Sequence, residues 1–392
     1  MTQGGDRATP GPADGTADRV RVTLVISGLV VGGAERVLTA LANAWVDEGR
    51  PVTILTLDPP DRPPFFPVDP RVDVRRLGLA GVSRNRLEAV ANNLRRLVRL
   101  RRAIAGTRPD VVVSFMDRTN VLTLLATFGA AWPVIVADRT AADPASGLIW
   151  RTLRRISYRR ARWIVVQTNG SAAAMPEGLR RRAVAIPNPV LVDPDHRSAG
   201  GAAGSDPALV VALGRLVPQK GFDLLVGAFP SVLRRAPTAR LEIWGAGPEA
   251  DRLGSLVRDL ELTSSVTLAG ETRDPATAIL RAGVFVLSSR VEGFPNVLLE
   301  AMASGRPVVA FDCPFGPAEI VTDGVDGRLV RAGDVDGLAD AITDLITSPT
   351  QAAALGARAT EVRERFAFGP ILGRWSDLVD GARHRSGSAL HP

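Results

Sequence analysis

The segment from Val284 to Phe311 limits what this chain can fold into more than any other. Val284-Phe-Val-Leu-Ser-Ser289 is an apolar run of strand length. Asn296-Val-Leu-Leu-Glu-Ala-Met-Ala-Ser304 reads as a short helix stopped by Gly305. Arg306-Pro-Val-Val-Ala-Phe311 is a second strand. Strand, short helix, strand is a parallel βαβ unit, and in such units ligands sit at the carboxyl ends of the strands. Glu292 falls in the loop at that end, and Glu300 lies about two turns further on, inside the helix. The helix N-terminus between them presents backbone N–H groups to an anion. Two carboxylates around such a helix end suit a ligand that carries both hydroxyls and phosphates, such as a sugar nucleotide.

The same strand-to-helix architecture recurs along the chain. Val22 to Ser27 is a first strand, and a helix through Leu38, Leu41, Ala42 and Trp45 follows. Gly32 and Gly33 sit at the turn between them, where glycine lets a ligand approach the backbone and leaves N–H groups for a phosphate or sugar oxygen. Strands follow at Pro51–Leu57, around Val72–Leu77, at Asp110–Phe115, Val134–Ala137 and Trp163–Thr168. Asp117 and Arg118 stand at the carboxyl end of one of these strands, and Arg139 at the end of another, placing them on the ligand side. Residues 193–207 are polar, rich in Gly and Ala and without periodicity, and read as a linker. Beyond it, strand Leu209–Leu213 leads through Gly214-Arg-Leu-Val-Pro-Gln-Lys-Gly221 into helix Phe222–Arg234. Arg215 and Lys220 are thereby set at a strand end and just before a helix, where their charges can neutralise a diphosphate. Strands Leu241–Trp244 and Ser265–Gly270 and a helix Leu338–Ile346 continue the pattern. Asp334 is read as the N-cap of that helix and not as half of a metal-binding pair with Asp336.

These strings carry a resemblance. Glu292-Gly-Phe-Pro-Asn-Val-Leu-Leu-Glu300, Gly32-Gly-Ala-Glu-Arg36 and Gly214-Arg-Leu…Lys220-Gly221 are similar to motifs of the retaining glycosyltransferases of the family 4 type. The similarity runs from Arg19 to Ala382. Met116–Asn120 and Asp138–Thr140 resemble, more loosely, loops of bacterial transferases that extend lipid-linked sugars. The resemblance implies an α/β protein of the GT-B fold, two Rossmann-like doubly wound domains facing each other across a cleft. It implies an acceptor-side domain over residues 19–192, a donor-nucleotide domain over 208–365, and a helix at 366–383 that crosses back to the first domain. Residues 1–18 and 384–392 read as disordered termini.

The roles implied by the family are specific. Glu300 would accept from the ribose hydroxyls, and Arg215 and Lys220 would hold the diphosphate leaving group. Backbone groups of Phe294, Asn296 and Val297 would contact sugar and phosphate, and the loop at Glu271 would face the base. Glu292 would bind the sugar and face the developing positive charge. Gly32 and Gly33 would touch the donor, with Asp117, Arg118 and Arg139 on the acceptor side. The implied donor is a nucleoside-diphosphate sugar, UDP first, which is a substrate and not a cofactor. No metal is required if the two cations and the helix ends carry the charge.

Composition decides a few remaining points. With 392 residues the chain is longer than one core normally holds, so two domains are expected. The single cysteine, Cys313, excludes an internal disulfide and suits a reducing cytoplasm. The three histidines, His196, His384 and His391, lie in linker-like or terminal sequence, which argues against a zinc site or a histidine base. The net charge of +7 is uneven: residues 1–200 hold 29 basic and 18 acidic side chains, or +11, while the remainder hold 19 and 23, or −4. Arginines crowd a helix at Arg84–Ile104, whose apolar face is Leu87, Val90, Ala91, Leu94, Leu97, Val98 and Ile104. Arg151, Arg154, Arg155, Arg159, Arg160 and Arg162 mark a second basic helix. An anionic membrane surface and a glycan or lipid-linked acceptor are the partners this charge suggests, at the inner face of the membrane; nucleic acid is not expected. A sugar-nucleotide epimerase of the same fold and a non-catalytic sugar-nucleotide-binding subunit stand as alternatives. A dehydrogenase is weaker, because the glycines at 28, 32 and 33 do not form Gly-x-Gly-x-x-Gly.

Overall fold

The computed structural model describes residues 19–61, 63–79, 86–139, 147–191, 205–272 and 274–383. The two termini and most of the linker, read above as disordered or unstructured, lie outside the described residues, as do Arg84, Thr140 and Arg273. In chain order the elements of the first part are β1 Val22–Ile26, α1 Gly33–Asp47, β2 Val52–Thr56, β3 Asp73–Arg76, α2 Arg86–Thr107, β4 Val111–Phe115, α3 Asp117–Ala126, β5 Val134–Ala137, α4 Leu148–Tyr158, β6 Trp163–Val166, α5 Asn169–Ala173, α6 Glu177–Arg180 and β7 Ala183–Ala185. The second part comprises β8 Asp206–Leu213, α7 Phe222–Arg235, β9 Arg240–Trp244, α8 Ala250–Asp259, β10 Val266–Gly270, α9 Pro275–Arg281, β11 Ala282–Leu287, α10 Asn296–Ala303, β12 Val308–Asp312, α11 Pro317–Ile320, β13 Arg328–Arg331, α12 Val335–Thr347, α13 Pro349–Ala359, α14 Val362–Arg365 and α15 Phe368–Arg383.

These strands build two Rossmann-like parallel sheets. The first runs β3-β2-β1-β4-β5-β6-β7 and the second β10-β9-β8-β11-β12-β13. In each sheet the opening strand is central. β1 pairs in parallel with β2 and with β4, and β8 with β9 and with β11. The chain therefore winds one way from β1 or β8 and then reverses, creating a switch point beside each opening strand. There the loops leaving adjacent strands part and open a crevice at the carboxyl ends. Helices cover both faces of such a sheet, which is why β1, β2 and β4 are predominantly apolar, with only small hydroxyl residues between, and are buried along their whole lengths.

Helix burial follows the 3.6-residue period. α1 buries Leu38, Leu41, Ala42 and Trp45. In the second core, Leu225, Phe229 and Val232 of α7 pack with Ile243, Phe311, Leu338 and Ile342. Each such side chain contributes about 1.5–3 kcal/mol by leaving water.

Two expectations change. The face expected to bury α2 is only partly buried: Leu100 and Ile104 face the core, but Leu94 is 62% exposed and Val98 40%. The core-facing stripe is rotated because Arg96 and Arg101 reach inward to backbone carbonyls, Arg96 to Leu79 and Arg101 to Ala126 and Phe128. Strand β8 also begins at Asp206, inside the segment read as linker. The Asp334 cap is present: its carboxylate accepts from the Gly337 N–H at 2.9 Å.

The chain falls into two compact units. One holds residues 1–115, 122–135 and 378–392, the other 116–121 and 136–377. In the first, Arg50 of the turn after α1 donates to the carboxylate of Asp380 on α15, at 2.9 Å through Nη2.

Candidate active site

The second sheet's switch point lies between β8 and β11, and the loops leaving those two strands are knitted together. After β8 the chain makes a 3₁₀ turn, Pro218–Lys220, ended by Gly221 in the left-handed region at φ 62°. A Cβ on Gly221 would stand 2.1 Å from the Ser288 carbonyl oxygen, so only glycine allows the two loops to approach this closely. The Ser288 hydroxyl donates to the Lys220 carbonyl at 3.0 Å, and the Arg290 N–H donates to the Gln219 carbonyl at 2.8 Å. The Arg290 guanidinium forks onto Asp223 at 2.8 Å through both nitrogens, and that pairing holds the Asp223 carboxyl below its ordinary range.

This scaffold brings Lys220 and Glu292 into contact. Lys220 Nζ donates to Glu292 Oε1 at 2.6 Å, and the Ser289 hydroxyl donates to the same oxygen at 2.6 Å. Glu292 is buried and Lys220 half-buried. An ammonium has three donors. Lys220 can therefore hold Glu292 and a ligand phosphate together.

Above Glu292 stands the N-terminus of α10, whose cap residue Pro295 supplies no side-chain hydrogen bond. The first N–H groups of a helix have no partner within it, and here they belong to Asn296 and Val297. The loop is held from behind. The Phe294 ring is buried edgewise on Phe366 with centroids 5.7 Å apart, and Gly316 lies so close that a Cβ there would be 2.8 Å from Pro295 Cδ. Glu300 is half-buried one turn into α10. Arg215 is exposed directly after β8, and Glu271 is exposed after β10. Strands are spaced about 4.8 Å apart. β10, which Glu271 follows, is three strands from β11, about 14 Å across the sheet.

The residues expected near the first sheet are arranged differently from one another. At the β1–α1 turn the Glu35 carboxyl folds back under Gly32, where Oε2 lies 2.2 Å from the position a Cβ would take. Burial raises the Glu35 pKa. At the end of β4, Asp117 is engaged on three sides: by Arg154 at 2.7 Å, by the Trp150 indole N–H at 2.8 Å and by the Tyr158 hydroxyl at 3.3 Å. Arg154 also pairs with the buried Asp138. Arg118 points to solvent. Arg139 is buried, and burial pushes its pKa down to about 9, partly offset by Asp138. It donates to the Asn188 side-chain oxygen, and the Asn188 amide donates to the Asn296 side-chain oxygen at 2.7 Å. This hydrogen-bond chain leads to the α10 N-terminus, while the Arg139 guanidinium also lies over the Trp375 ring, 5.5 Å from its centroid.

Ser289, Arg154, Trp150, Tyr158, Asn188 and Glu35 were not singled out from sequence as site residues, and Arg154 was read only as part of a basic helix. Trp150, Arg154 and Tyr158 recur four apart in α4, a spacing that does mark one helix face. Among the described residues no group of three His, Cys, Asp or Glu side chains gathers to hold a metal ion.

The fold and this site define a class, and comparison with known proteins agrees. The family model described as "Glycosyl transferase 4-like domain" matches residues 32–189, and the one described as "Glycosyl transferases group 1" matches residues 207–348. The chain belongs to the GT-B glycosyltransferases of the family 4 type. It is 30% identical over 389 residues to an exopolysaccharide phosphotransferase of Streptomyces coelicolor, covering 92% of this chain but 40% of that protein. It is 40% identical over 163 residues to the GDP-mannose-dependent alpha-(1-6)-phosphatidylinositol monomannoside mannosyltransferase of Mycolicibacterium smegmatis, covering 38% of this chain and 42% of that one. The chain thus spans about two fifths of the length of each of these relatives. Its backbone is similar to that of Staphylococcus aureus TarM, solved with UDP, with a TM-score of 0.74, 16% identity, and coverage of 92% of this chain and 100% of that one.

Proposed function

We propose that this protein transfers a hexose or N-acetylhexosamine from a nucleoside-diphosphate sugar to a glycan, lipid-linked or metabolite acceptor, with retention at the anomeric carbon. The observation that carries this reading is the Lys220–Glu292–Ser289 constellation at the switch point of the second sheet. A diphosphate seated against the α10 N-terminus would meet Lys220 and the exposed Arg215. Negative charge grows on the departing phosphate as the glycosidic bond breaks, so fixed cations there lower the barrier. The acceptor oxygen bonds to the anomeric carbon on the face the phosphate leaves, and its proton passes to the leaving phosphate oxygen. Glu292 faces the positive charge that develops on the sugar. Glu300 binds the ribose hydroxyls, and Glu271 lies on the side of the base.

The reading takes UDP as the nucleotide. The mycobacterial relative is named for GDP-mannose, so both must be tried. That relative is also named for a phosphatidylinositol acceptor, which supports a lipid-linked acceptor here. No helix among the described residues is long and apolar enough to cross a membrane. Docking at the inner membrane face would be peripheral, through apolar and cationic side chains on the outer face of an exposed helix.

The test is to incubate the protein with UDP-, GDP- and ADP-sugars, with and without acceptor, and to measure the nucleotide released. One donor is expected to be consumed, in EDTA as well as without it. Loss of turnover in EDTA, restored by magnesium or manganese, would overturn the metal-independent mechanism. Inertness toward every donor with nucleotide binding intact would favour a non-catalytic subunit.

A further inference from the structure

We propose that α4 is a membrane-docking helix whose outer face binds an anionic lipid surface while its inner face holds the ligand end of the first sheet. This rests on the reading above that the acceptor is lipid-linked. It assigns the docking to a surface other than α2.

At 100° per residue, Leu148, Arg151, Thr152, Arg155, Ile156 and Arg159 fall within about 140° of arc on α4. Apart from Arg159, which follows the helix directly, these lie within α4, and all are exposed. Leu148 is 71% exposed and Ile156 58%, two of the most exposed large apolar side chains among the described residues. On the opposite side lie Trp150, Arg154 and Tyr158, and these hold Asp117 and Asp138. The helix therefore has one partnered face and one with apolar and cationic side chains interleaved.

The chemistry of the outer face selects its partner. No aspartate or glutamate occurs between Asp143 and Glu177. Among the described residues the ion pairs of α4 all run through Arg154, so Arg151, Arg155 and Arg159 keep their charge for an outside partner. Two aliphatic side chains two turns apart, with Thr152 between them and guanidinium groups as the only charges beside them, match a bilayer surface. The aliphatic groups enter the acyl boundary and the guanidiniums reach lipid phosphates. A purely electrostatic partner such as RNA would leave Leu148 and Ile156 without a role. Asp117 and Asp138 lie at the carboxyl ends of β4 and β5, so a bilayer on the outer face of α4 would be about one helix diameter, roughly 10 Å, from those strand ends. A lipid-linked acceptor could then present its headgroup there without leaving the membrane.

The experiment is co-sedimentation of the full chain with vesicles of phosphatidylcholine alone and of phosphatidylcholine mixed with phosphatidylglycerol. Three variants are compared: Leu148→Ser with Ile156→Ser; Arg151→Gln with Arg155→Gln and Arg159→Gln; and, on α2, Arg95→Gln with Arg99→Gln and Arg102→Gln. Nucleotide release from the donor and circular dichroism are measured in parallel. Both α4 variants are expected to partition to anionic vesicles roughly tenfold less or worse, while keeping fold and donor turnover. Loss only in the α2 variant overturns the inference but leaves membrane docking standing. Wild-type protein that ignores anionic vesicles overturns docking altogether, and donor turnover then still decides the transferase reading. Arginine-dependent capture by an RNA duplex, with vesicles ignored, would reassign the face to nucleic acid.

Discussion

Replacing Lys220 with Met tests whether the Lys220–Glu292 contact is both a structural ion pair and a catalytic cation. The Nζ–Oε1 distance is 2.6 Å, and the lysine and glutamate side chains are 20% and 10% exposed. Removing one partner of a buried pair leaves the other charge uncompensated and costs about 3–5 kcal/mol. Partial exposure of the lysine and the remaining Ser289 hydrogen bond place this case at the lower end, about 3 kcal/mol. For a unit of 150–250 residues that lowers Tm by roughly 6–12 °C. Glu292→Gln alone should cost less, because a neutral amide is easier to bury than an unpaired carboxylate. The double variant should be more stable than Lys220→Met, giving a coupling of about 2 kcal/mol in a double-mutant cycle. Turnover of Lys220→Met, assayed well below its Tm, should fall about 100-fold, or about 2.7 kcal/mol of transition-state stabilisation. Differential scanning calorimetry and initial rates of nucleotide release measure the two quantities separately. Coupling below about 0.5 kcal/mol would show that the contact is not an energetic pair, and turnover within threefold of wild type would refute the diphosphate role.

Further expectations concern the other titratable groups. Glu300→Gln should weaken nucleotide binding in titration calorimetry, whereas Glu292→Gln should mainly lower kcat; the reverse pattern would exchange the two roles. Burial raises the Glu35 pKa, so its contribution is fully present below about 4.5 and declines as pH rises through the folded value. Glu35→Gln should therefore match wild type in urea denaturation at pH 4 and exceed it at pH 7; equal stability at both would contradict the burial. Burial, with the Glu292 charge behind it, pushes the Cys313 thiol up to about 12. The unfolded thiol ionises near pH 9, so wild type should lose up to about 1.4 kcal/mol per pH unit between pH 9 and 12 that Cys313→Ala keeps. A native Cys313 that reacts quickly with a thiol reagent at pH 8 would disprove that burial.

What the sequence determined by itself is what adjacent residues decide among themselves. Predominantly apolar runs fix strands such as Val22–Ile26 and Val111–Phe115, because a strand covered on both faces has no solvent-facing polar side. The spacing of Leu38, Leu41, Ala42 and Trp45 fixes α1, and the Asp334 side chain fixes the start of α12. The motif strings located the loops at strand ends, so Lys220, Glu292 and Glu300 were legible as candidates. The tertiary structure decided which of them touch. Lys220 and Glu292 are 72 residues apart and meet only because β8 and β11 are neighbours in the sheet. Strand order depends on how whole helices pack, which no local period records. The same holds for the arginines of α4 and α2. From sequence they form uniform basic faces, yet Arg154 turns inward to the buried Asp138 and the half-buried Asp117, and Arg96 and Arg101 turn to backbone carbonyls. An arginine's direction is set by the acceptors that other segments bring within its reach, and those segments are placed only when the chain has folded.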